Sequence, residues 1–200
     1  MENNFFAMIS RLKWIDRWAL MKNATNENLS EHSLEVAMIA HALCVIGNRR
    51  FGKNLNGERA ALIGMYHDAT EIITGDMPTP VKYYNDEIRH VYKDIEKEAQ
   101  RRLISLLPDD MKDEYDSIFS PGEELSYEKR LVKGADKLSA YIKCIAERRA
   151  GNDDFLSAER QTRKLLEEMR LPEVDYFLLH FIPAFELTLD ELGTIEDWKP

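Results

Sequence analysis

Four residues at three separate places in the sequence have side chains that commonly bind divalent metal ions. They are His32, the adjacent pair His67 and Asp68, and Asp136. Two imidazoles and two carboxylates make a mixed nitrogen and oxygen ligand set. Such a set suits Mn, Co, Fe or Zn and leaves positions open for water and a substrate. The residue types therefore indicate one metal site assembled from distant parts of the chain.

Each of these residues also has an ordinary interpretation when it is taken alone. A lone histidine is more commonly a satisfied core or surface residue than a ligand, and Asp136 alone is typical of an exposed position. An unpaired charge inside an apolar helix is very costly, so buried ionisable groups are usually paired or bind metal. The metal site is favoured by the combination of apolar helices, ordered spacing and a nearby acid.

Helical periodicity defines the elements that must position these residues. We predict that Ser30 caps a helix from Glu31 towards Asn48, which is apolar nearly all round, as a central buried helix would be. A second mostly apolar helix is predicted from Glu58 to about Thr74, with His67 and Asp68 at its centre. Gly75 and the prolines that follow it end this helix. Asp136 falls in an amphipathic segment.

The rest of the chain continues in helical segments, and no strand run, internal repeat or low-complexity linker interrupts them. The last helix contains Pro183, which should kink or divide it. We therefore predict an all-α fold in which residues 1–200 form a single compact helical bundle, with the metal site between its central helices. The other predicted helical segments are 5–18, 86–107, 109–117, 124–149, 155–170 and 174–192.

Composition excludes several partners. The net charge is −9 and the pI is about 5.1, which argues against a nucleic-acid polymer because that binding depends on clustered Lys and Arg. The N-terminus lacks the apolar core of a signal peptide, and no uninterrupted apolar run approaches the ~18–20 residues that span a membrane. Cys44 and Cys144 form no spacing motif and are expected to be reduced. We therefore predict a cytoplasmic protein without a membrane partner.

Beyond these residues, whole stretches of the chain resemble a known family. The order His32, His67-Asp68 and Asp136 is similar to the H…HD…D signature of the HD-domain metal-dependent phosphohydrolases. The stretches RWALM, SEHSLEVAMIAHAL, MYHDATEIITGDMPTPVKY and KGADKLSAYIKC resemble the bacterial HD-domain 5′-deoxynucleotidases. The resemblance covers nearly the whole chain and is strongest over 5–85 and 128–150. It implies hydrolysis of deoxynucleoside 5′-monophosphates to a deoxynucleoside and phosphate.

The resemblance implies a role for each site residue. His32, His67, Asp68 and Asp136 would hold one divalent ion such as Co, Mn or Zn, because the remaining histidines lack the spacing of two-metal relatives. The catalytic residues would be Glu71, which transfers a proton, and Arg17, which also binds the phosphate. The implied substrate contacts come from Arg17, Trp18, His32, Asp68, Asp76, Met77, Pro78, Thr79 and Asp136.

Alternatives remain at this point. Glu71 could be a solvated glutamate, Arg17 a surface residue paired with Asp16 or Glu31, and Trp18 plain core. A guanosine tetraphosphate hydrolase of this type would carry an acid where Ile72 stands, and a triphosphate hydrolase would be longer and more cationic. A catalytically silent nucleotide-binding module would have lost a ligand or the acid. The family resemblance further implies a homodimer.

Overall fold

The structure is a computed structural model that describes residues 3–78, 81 and 84–193. Within these residues no β-strand occurs, and one isolated antiparallel bridge joins Asp16 to Asn28. The predicted all-α class is confirmed. The described α-helices are α1 (Phe5–Ile9), α2 (Leu29–Arg50), α3 (Gly57–Tyr66), α4 (Glu71–Thr74), α5 (Asp86–Ser105), α6 (Asp109–Phe119), α7 (Ser126–Arg149), α8 (Leu156–Glu168) and α9 (Pro172–His180). Short 3₁₀-helices lie at Ser10–Trp14, Glu123–Leu125, Asp153–Phe155 and Ile182–Glu186.

The first central helix, α2, begins earlier than the sequence predicted. Its N-cap is Asn28, whose side chain accepts hydrogen bonds from the backbone N–H groups of Ser30 at 3.0 Å and Glu31 at 3.1 Å. The Glu31 carboxylate in turn accepts from the Asn28 backbone N–H at 3.2 Å. The prediction of Ser30 as the cap was wrong because Glu31 completes this reciprocal capping box with Asn28.

The helix predicted from Glu58 to about Thr74 is divided in two. Helix α3 ends at Tyr66, residues 67–70 form a turn, and α4 follows. In the turn the Glu71 backbone N–H donates to the Asp68 carbonyl at 2.9 Å, a three-residue spacing that replaces the four-residue spacing of an α-helix. The prediction that His67 and Asp68 lie at the centre of a helix was therefore wrong. They lie in the turn that joins two helices.

Helices α2, α3 and α7 form the centre of the structure and bury most of the apolar side chains. Gly64 allows α3 to approach α2 closely, because a Cβ at this position would lie 3.1 Å from the Ala37 Cα. This close approach brings the end of α3 next to the first turns of α2. The metal-ligand candidates of both segments consequently reach the same region.

The outer helices complete the fold on two sides. A second buried cluster, with Phe5 and Leu103 in it, packs α1 against α5 and the following residues. On the other side α8 and α9 cover α7, and α9 ends at His180. The predicted effect of Pro183 is confirmed, since a 3₁₀-helix with this proline in its first turn replaces the continuous helix.

Helix α2 is more apolar along its length than the sequence predictions indicated. Among the described residues it is the one helix with the length and apolar composition of a membrane-spanning segment, with a mean hydropathy of 1.3 over its most apolar window. However, 56% of that window is buried inside the protein. The core helix of a folded domain has the same composition, and the packing of α2 against α3 and α7 accounts for its apolar character.

Candidate metal centre and substrate wall

The four predicted metal ligands lie together between α2, α7 and the turn after α3. The His32 Nε2 atom is 3.5 Å from an Asp68 carboxylate oxygen and 3.3 Å from an Asp136 carboxylate oxygen. The His67 Nε2 atom is 3.0 Å from the same Asp68 oxygen and 4.0 Å from Asp136. One ligand atom each from His32, His67 and Asp68 could hold a metal ion, because these atoms lie within 4.8 Å of one another.

His32 is oriented by a hydrogen-bonded chain that crosses from α2 to α7. Its fully buried ring places Nδ1 2.9 Å from the Ser139 hydroxyl oxygen, and that hydroxyl donates to the Glu35 carboxylate at 2.6 Å. Because the hydroxyl hydrogen is directed to Glu35, the Ser139 oxygen accepts a hydrogen from His32 Nδ1. The proton therefore lies on Nδ1, and Nε2 faces the carboxylates with its lone pair.

His67 is fixed in the same tautomer by the main chain. Its Nδ1 atom is 2.7 Å from the Gly64 carbonyl oxygen, which can only accept, so Nδ1 carries the hydrogen. The Nε2 atoms of His32 and His67 are both buried, and the groups they face among the described residues are the Asp68 and Asp136 carboxylates. Two buried imidazole nitrogens that converge on two carboxylates match the donor set of a transition-metal site, with the outer hydrogen bonds that such ligands usually make.

The charges in this centre strongly stabilise one another. Burial alone would raise the pKa of Asp68, but His67 and His32 outweigh it and hold the pKa well below its ordinary value. The pKa of Asp136 is likewise lowered, against burial, by His32 and Lys137. Burial lowers the pKa of His67, yet Asp68 outweighs it and raises the pKa to about 9, so without a metal ion Nε2 also carries a proton, which a bound cation would displace. The two acids are therefore ionised carboxylates that attract positive charge.

Glu71 stands beside this centre, at the start of α4. It does not share a continuous helix with Asp68, as predicted, but the hydrogen bond from its backbone N–H to the Asp68 carbonyl keeps the two residues adjacent. Its side chain is buried, with 7% exposed. A solvated surface glutamate is thus excluded, and an acid shielded from water lies one turn from a candidate ligand.

Arg17 lies in a buried pocket of carboxylates and pairs with neither Asp16 nor Glu31. Its Nη1 donates to the Glu27 carboxylate at 2.7 Å, and the side chain is 12% exposed. Burial lowers the pKa of Arg17, but Glu27 and the acids of the metal centre outweigh it and raise the pKa above its ordinary value. Arg17 is therefore a fixed positive charge that is attracted by Glu27 and by the nearby carboxylates of Asp136, Asp68 and Asp76.

Trp18 and Asp76 lie near each other and near Arg17. Trp18 has a φ of 59°, in the left-handed region that residues with large side chains seldom adopt. Burial raises the pKa of Asp76, and Arg17 and the Trp18 backbone N–H oppose this rise, so both lie close to the carboxylate. The indole donates to Glu27 at 3.1 Å, and its ring lies 5.3 Å from that of Phe155. Asp76 is therefore close to Arg17 and to the backbone of Trp18.

The remaining loop residues are described in part. Gly75 ends α4 with a φ of 72°, as its position after the helix predicted. Met77 and Pro78 are half-buried. Thr79 lies outside the described residues.

This geometry can be set against known proteins. The model of the family described as 5′-deoxynucleotidase YfbR-like matches residues 4–185. A 5′-deoxynucleotidase from Cronobacter sakazakii is 52% identical over 192 residues, covering 96% of both chains. One from Erwinia tasmaniensis is also 52% identical over 191 residues and covers 96% of both chains. The chain belongs to this family.

Solved structures agree on the fold of this YfbR-like chain. An HD-domain phosphohydrolase from Listeria innocua superposes with a TM-score of 0.79 at 23% identity, covering 98% of this chain and 94% of that one. An HD phosphohydrolase of cyanophage S-2L, solved with dA and one catalytic Zn²⁺ ion, has a TM-score of 0.63 at 19% identity and covers 91% and 96%. The predicted family and the HD-type fold are confirmed.

Sequence reasoning missed the residues that support the site. Glu35 and Ser139 lie within the stretches that carry the family resemblance but were given no role, and Glu27 lies outside those stretches. Ser139 and Glu35 each follow a predicted ligand by three residues, so each shares a helical face with it. Glu27 lies in a loop and has no such periodic relation to the residues it contacts.

Proposed function

We propose that this YfbR-like chain is a metal-dependent 5′-deoxynucleotidase that hydrolyses deoxynucleoside 5′-monophosphates to a deoxynucleoside and phosphate. The observation that carries the proposal is the convergence of the buried Nε2 atoms of His32 and His67 on the Asp68 and Asp136 carboxylates. The relatives that are 52% identical over nearly the full chain bear the name of this activity.

In this proposal His32, His67, Asp68 and Asp136 hold one divalent ion. Cobalt, manganese and zinc all accept such nitrogen and oxygen ligands. When bound, the ion supplies Lewis acidity that acidifies water and polarises phosphoryl oxygens. The one group of candidate ligands found among the described residues consists of His32, His67 and Asp68, without the other histidines, and Asp136 lies beside it, 3.3 Å from the His32 Nε2. This supports a single metal.

The two proposed catalytic residues have different tasks in breaking the bond between phosphorus and the 5′-oxygen. Arg17 donates hydrogen bonds to the phosphate through the N–H groups that Glu27 does not occupy, and its charge offsets that of the phosphate. Glu71 takes a proton from the attacking water or gives one to the leaving 5′-oxygen. Burial of the Glu71 side chain supports this role because bulk water does not compete with the proton transfer.

The proposed substrate wall is formed by two segments. Trp18, in its left-handed conformation, would limit the space at the sugar. Asp76, Met77, Pro78 and Thr79 are the proposed sugar contacts of the second segment. His32, Asp68 and Asp136 face the phosphate. Arg17 and the Trp18 backbone both oppose the rise in the pKa of Asp76 that burial causes, and this proximity supports the assignment of both segments to one wall.

The test is a substrate panel. Purified protein is incubated with deoxy- and ribonucleoside monophosphates, triphosphates and guanosine tetraphosphate, each with Co, Mn or Zn, and phosphate and pyrophosphate are assayed separately. We expect phosphate release, highest from the deoxynucleoside monophosphates. Release of pyrophosphate from the longer nucleotides, or no hydrolysis of any substrate, would contradict the proposal.

We further propose that the protein acts in the cytoplasm as a homodimer and that residues 1–200 form one domain. Of the phenylalanines considered for dimer contact, Phe177 is buried, whereas Phe181 and Phe185 are 46% and 38% exposed. The two exposed rings follow the end of α9 in the sequence, four residues apart. Their exposure supports a contact with a second copy of the chain. Light scattering of the purified protein should give a mass near twice 23.3 kDa.

A further inference from the structure

A single carboxylate oxygen holds both side chains that are proposed to contact the phosphate and the sugar. One oxygen of Glu27 accepts from Arg17 Nη1 at 2.7 Å and from Trp18 Nε1 at 3.1 Å. The backbone adds a third contact, because the Arg17 N–H donates to the Glu27 carbonyl at 2.9 Å. The Glu27 side chain is only 13% exposed, so these contacts are largely removed from water.

Glu27 also decides which acid Arg17 pairs with. The guanidinium lies in the field of Asp68, Asp76 and Asp136 as well as Glu27. Without Glu27, Arg17 would be drawn towards the acids of the metal centre, since opposite charges attract strongly where water is scarce. Glu27 holds Nη1 and leaves the other N–H groups of the guanidinium without hydrogen bonds to the described residues.

Helix α7 fixes the loop that carries Glu27. The Glu147 carboxylate accepts hydrogen bonds from the backbone N–H groups of Ala24 at 2.7 Å and Thr25 at 3.2 Å. Lys143, one turn away, donates to the Thr25 carbonyl and to Glu147. Glu147 is 1% exposed. The loop therefore has a defined position relative to the helix that also carries Asp136.

We infer that Glu27 is a positioning residue that sets the direction of the Arg17 guanidinium and the tilt of the Trp18 indole. It thereby governs both substrate affinity and the discrimination between deoxy- and ribonucleotides. This inference rests on the proposed function. Glu27 does not itself touch the substrate, and it acts through the two side chains that it holds.

The experiment compares Glu27→Ala and Glu27→Gln with the wild type on deoxyadenosine and adenosine 5′-monophosphate. Loss of charge-assisted hydrogen bonds typically corresponds to about 10–100-fold in an equilibrium constant. We therefore expect Glu27→Ala to raise KM for the deoxynucleotide about tenfold or more, with a smaller change in kcat, and to alter the deoxy/ribo ratio of kcat/KM. Glu27→Gln keeps a hydrogen-bond acceptor but loses the charge, so its KM and its deoxy/ribo ratio should lie between those of the wild type and Glu27→Ala.

Glu31→Gln is the matched control. Glu27 and Glu31 line one cavity, so Glu31→Gln removes an equal charge close to the first. Glu31 contacts the Asn28 backbone but neither Arg17 nor Trp18. We expect it to keep the wild-type KM and ratio. A double variant with Arg17→Ala adds a second readout: if Glu27 acts through Arg17, adding Glu27→Ala to Arg17→Ala should raise KM by much less than Glu27→Ala alone.

The outcomes separate the two proposals. A wild-type protein that hydrolyses no nucleoside monophosphate would contradict the proposed function. An active wild type whose Glu27 variants keep KM and the deoxy/ribo ratio would overturn the positioning role alone, and so would variants with an unchanged KM and a lowered melting temperature. If Glu27→Ala does not fold, Glu27→Gln and the control decide the same question.

Discussion

Replacing Ser139 with alanine should weaken metal binding although Ser139 is not a ligand. Its hydroxyl accepts from His32 Nδ1 and donates to Glu35, and both Ser139 and His32 are fully buried. Ser139→Ala leaves the imidazole N–H without a partner in a site that water does not reach. The ring then loses the contact that fixes its tautomer and direction.

The magnitude follows from two effects. Loss of an outer hydrogen bond to a metal ligand typically weakens metal affinity about 10–100-fold, which is about 1.4–2.7 kcal/mol. A buried donor left without a partner costs a further ~1–3 kcal/mol in the free energy of unfolding. We therefore expect Ser139→Ala to bind Mn or Zn at least tenfold more weakly and to unfold at a lower urea concentration.

The assay is a metal titration of chelator-treated protein, read by calorimetry. Ser33→Ala is the control, because Ser33 is adjacent to His32 and only 3% exposed, and its hydroxyl has no hydrogen-bond partner in the part of the chain that the structure describes. Removing that hydroxyl should leave metal affinity unchanged and should not destabilise the fold. If the metal affinity of Ser139→Ala lies within twofold of the wild type, the hydrogen-bonded chain from His32 through Ser139 to Glu35 does not support metal binding.

The other predictions concern the site and its supports. His67→Ala should abolish metal-dependent phosphatase activity and lower metal content, and full occupancy by elemental analysis would count against its role as a ligand. Glu71→Ala should retain metal and substrate binding but lose about 10²–10⁴ in kcat; near-wild-type turnover would exclude proton transfer. Trp18→Ala should narrow the difference in kcat/KM between deoxy- and ribonucleoside monophosphates, and an unchanged difference would mean that another residue selects the sugar. Arg17→Ala should lower kcat/KM for both substrates alike. Hydrogen bonds from Lys143 and the loop backbone outweigh burial and lower the pKa of Glu147 to about 2, so this carboxylate contributes about 3 kcal/mol of stability at neutral pH that is lost as the pH falls from near 5 towards 2. Urea unfolding should show the gap between wild type and Glu147→Gln closing over that range, and a constant gap would rule out the linkage.

The sequence predicted the helices and the set of candidate ligands because both depend on local patterns. Apolar spacing reveals a buried helix, and the order of His32, His67-Asp68 and Asp136 resembles a known signature. The break after Tyr66 was not predictable in this way. Its three-residue hydrogen bonds advance the chain almost as a helix does, so the apolar pattern continues across the turn.

The support of the site could not be derived from local patterns. Helical spacing places Glu35 beside His32 and Ser139 beside Asp136. However, the hydrogen bonds from Ser139 to Glu35 and from Ala24 to Glu147 join residues more than 100 positions apart, so no periodicity pairs them. The cap of α2 is a different case. Both Asn28 and Ser30 are good N-cap residues, and the position of Glu31 three residues after Asn28 could have decided between them.

One face of α7 presents Asp136, Ser139, Lys143 and Glu147 in succession. Since they stand on one helix, their relative positions cannot change independently. On the opposite face Gly134 sits so close to α9 that a Cβ would lie 2.9 Å from a methyl carbon of Val174. A side chain at position 134 would force either Val174 or α7 to move. A shift of α7 would carry the candidate ligand Asp136, the His32 partner Ser139 and the loop contact Glu147 together. In the proposed function, metal affinity and substrate selectivity would then change together through a glycine that contacts neither metal nor substrate.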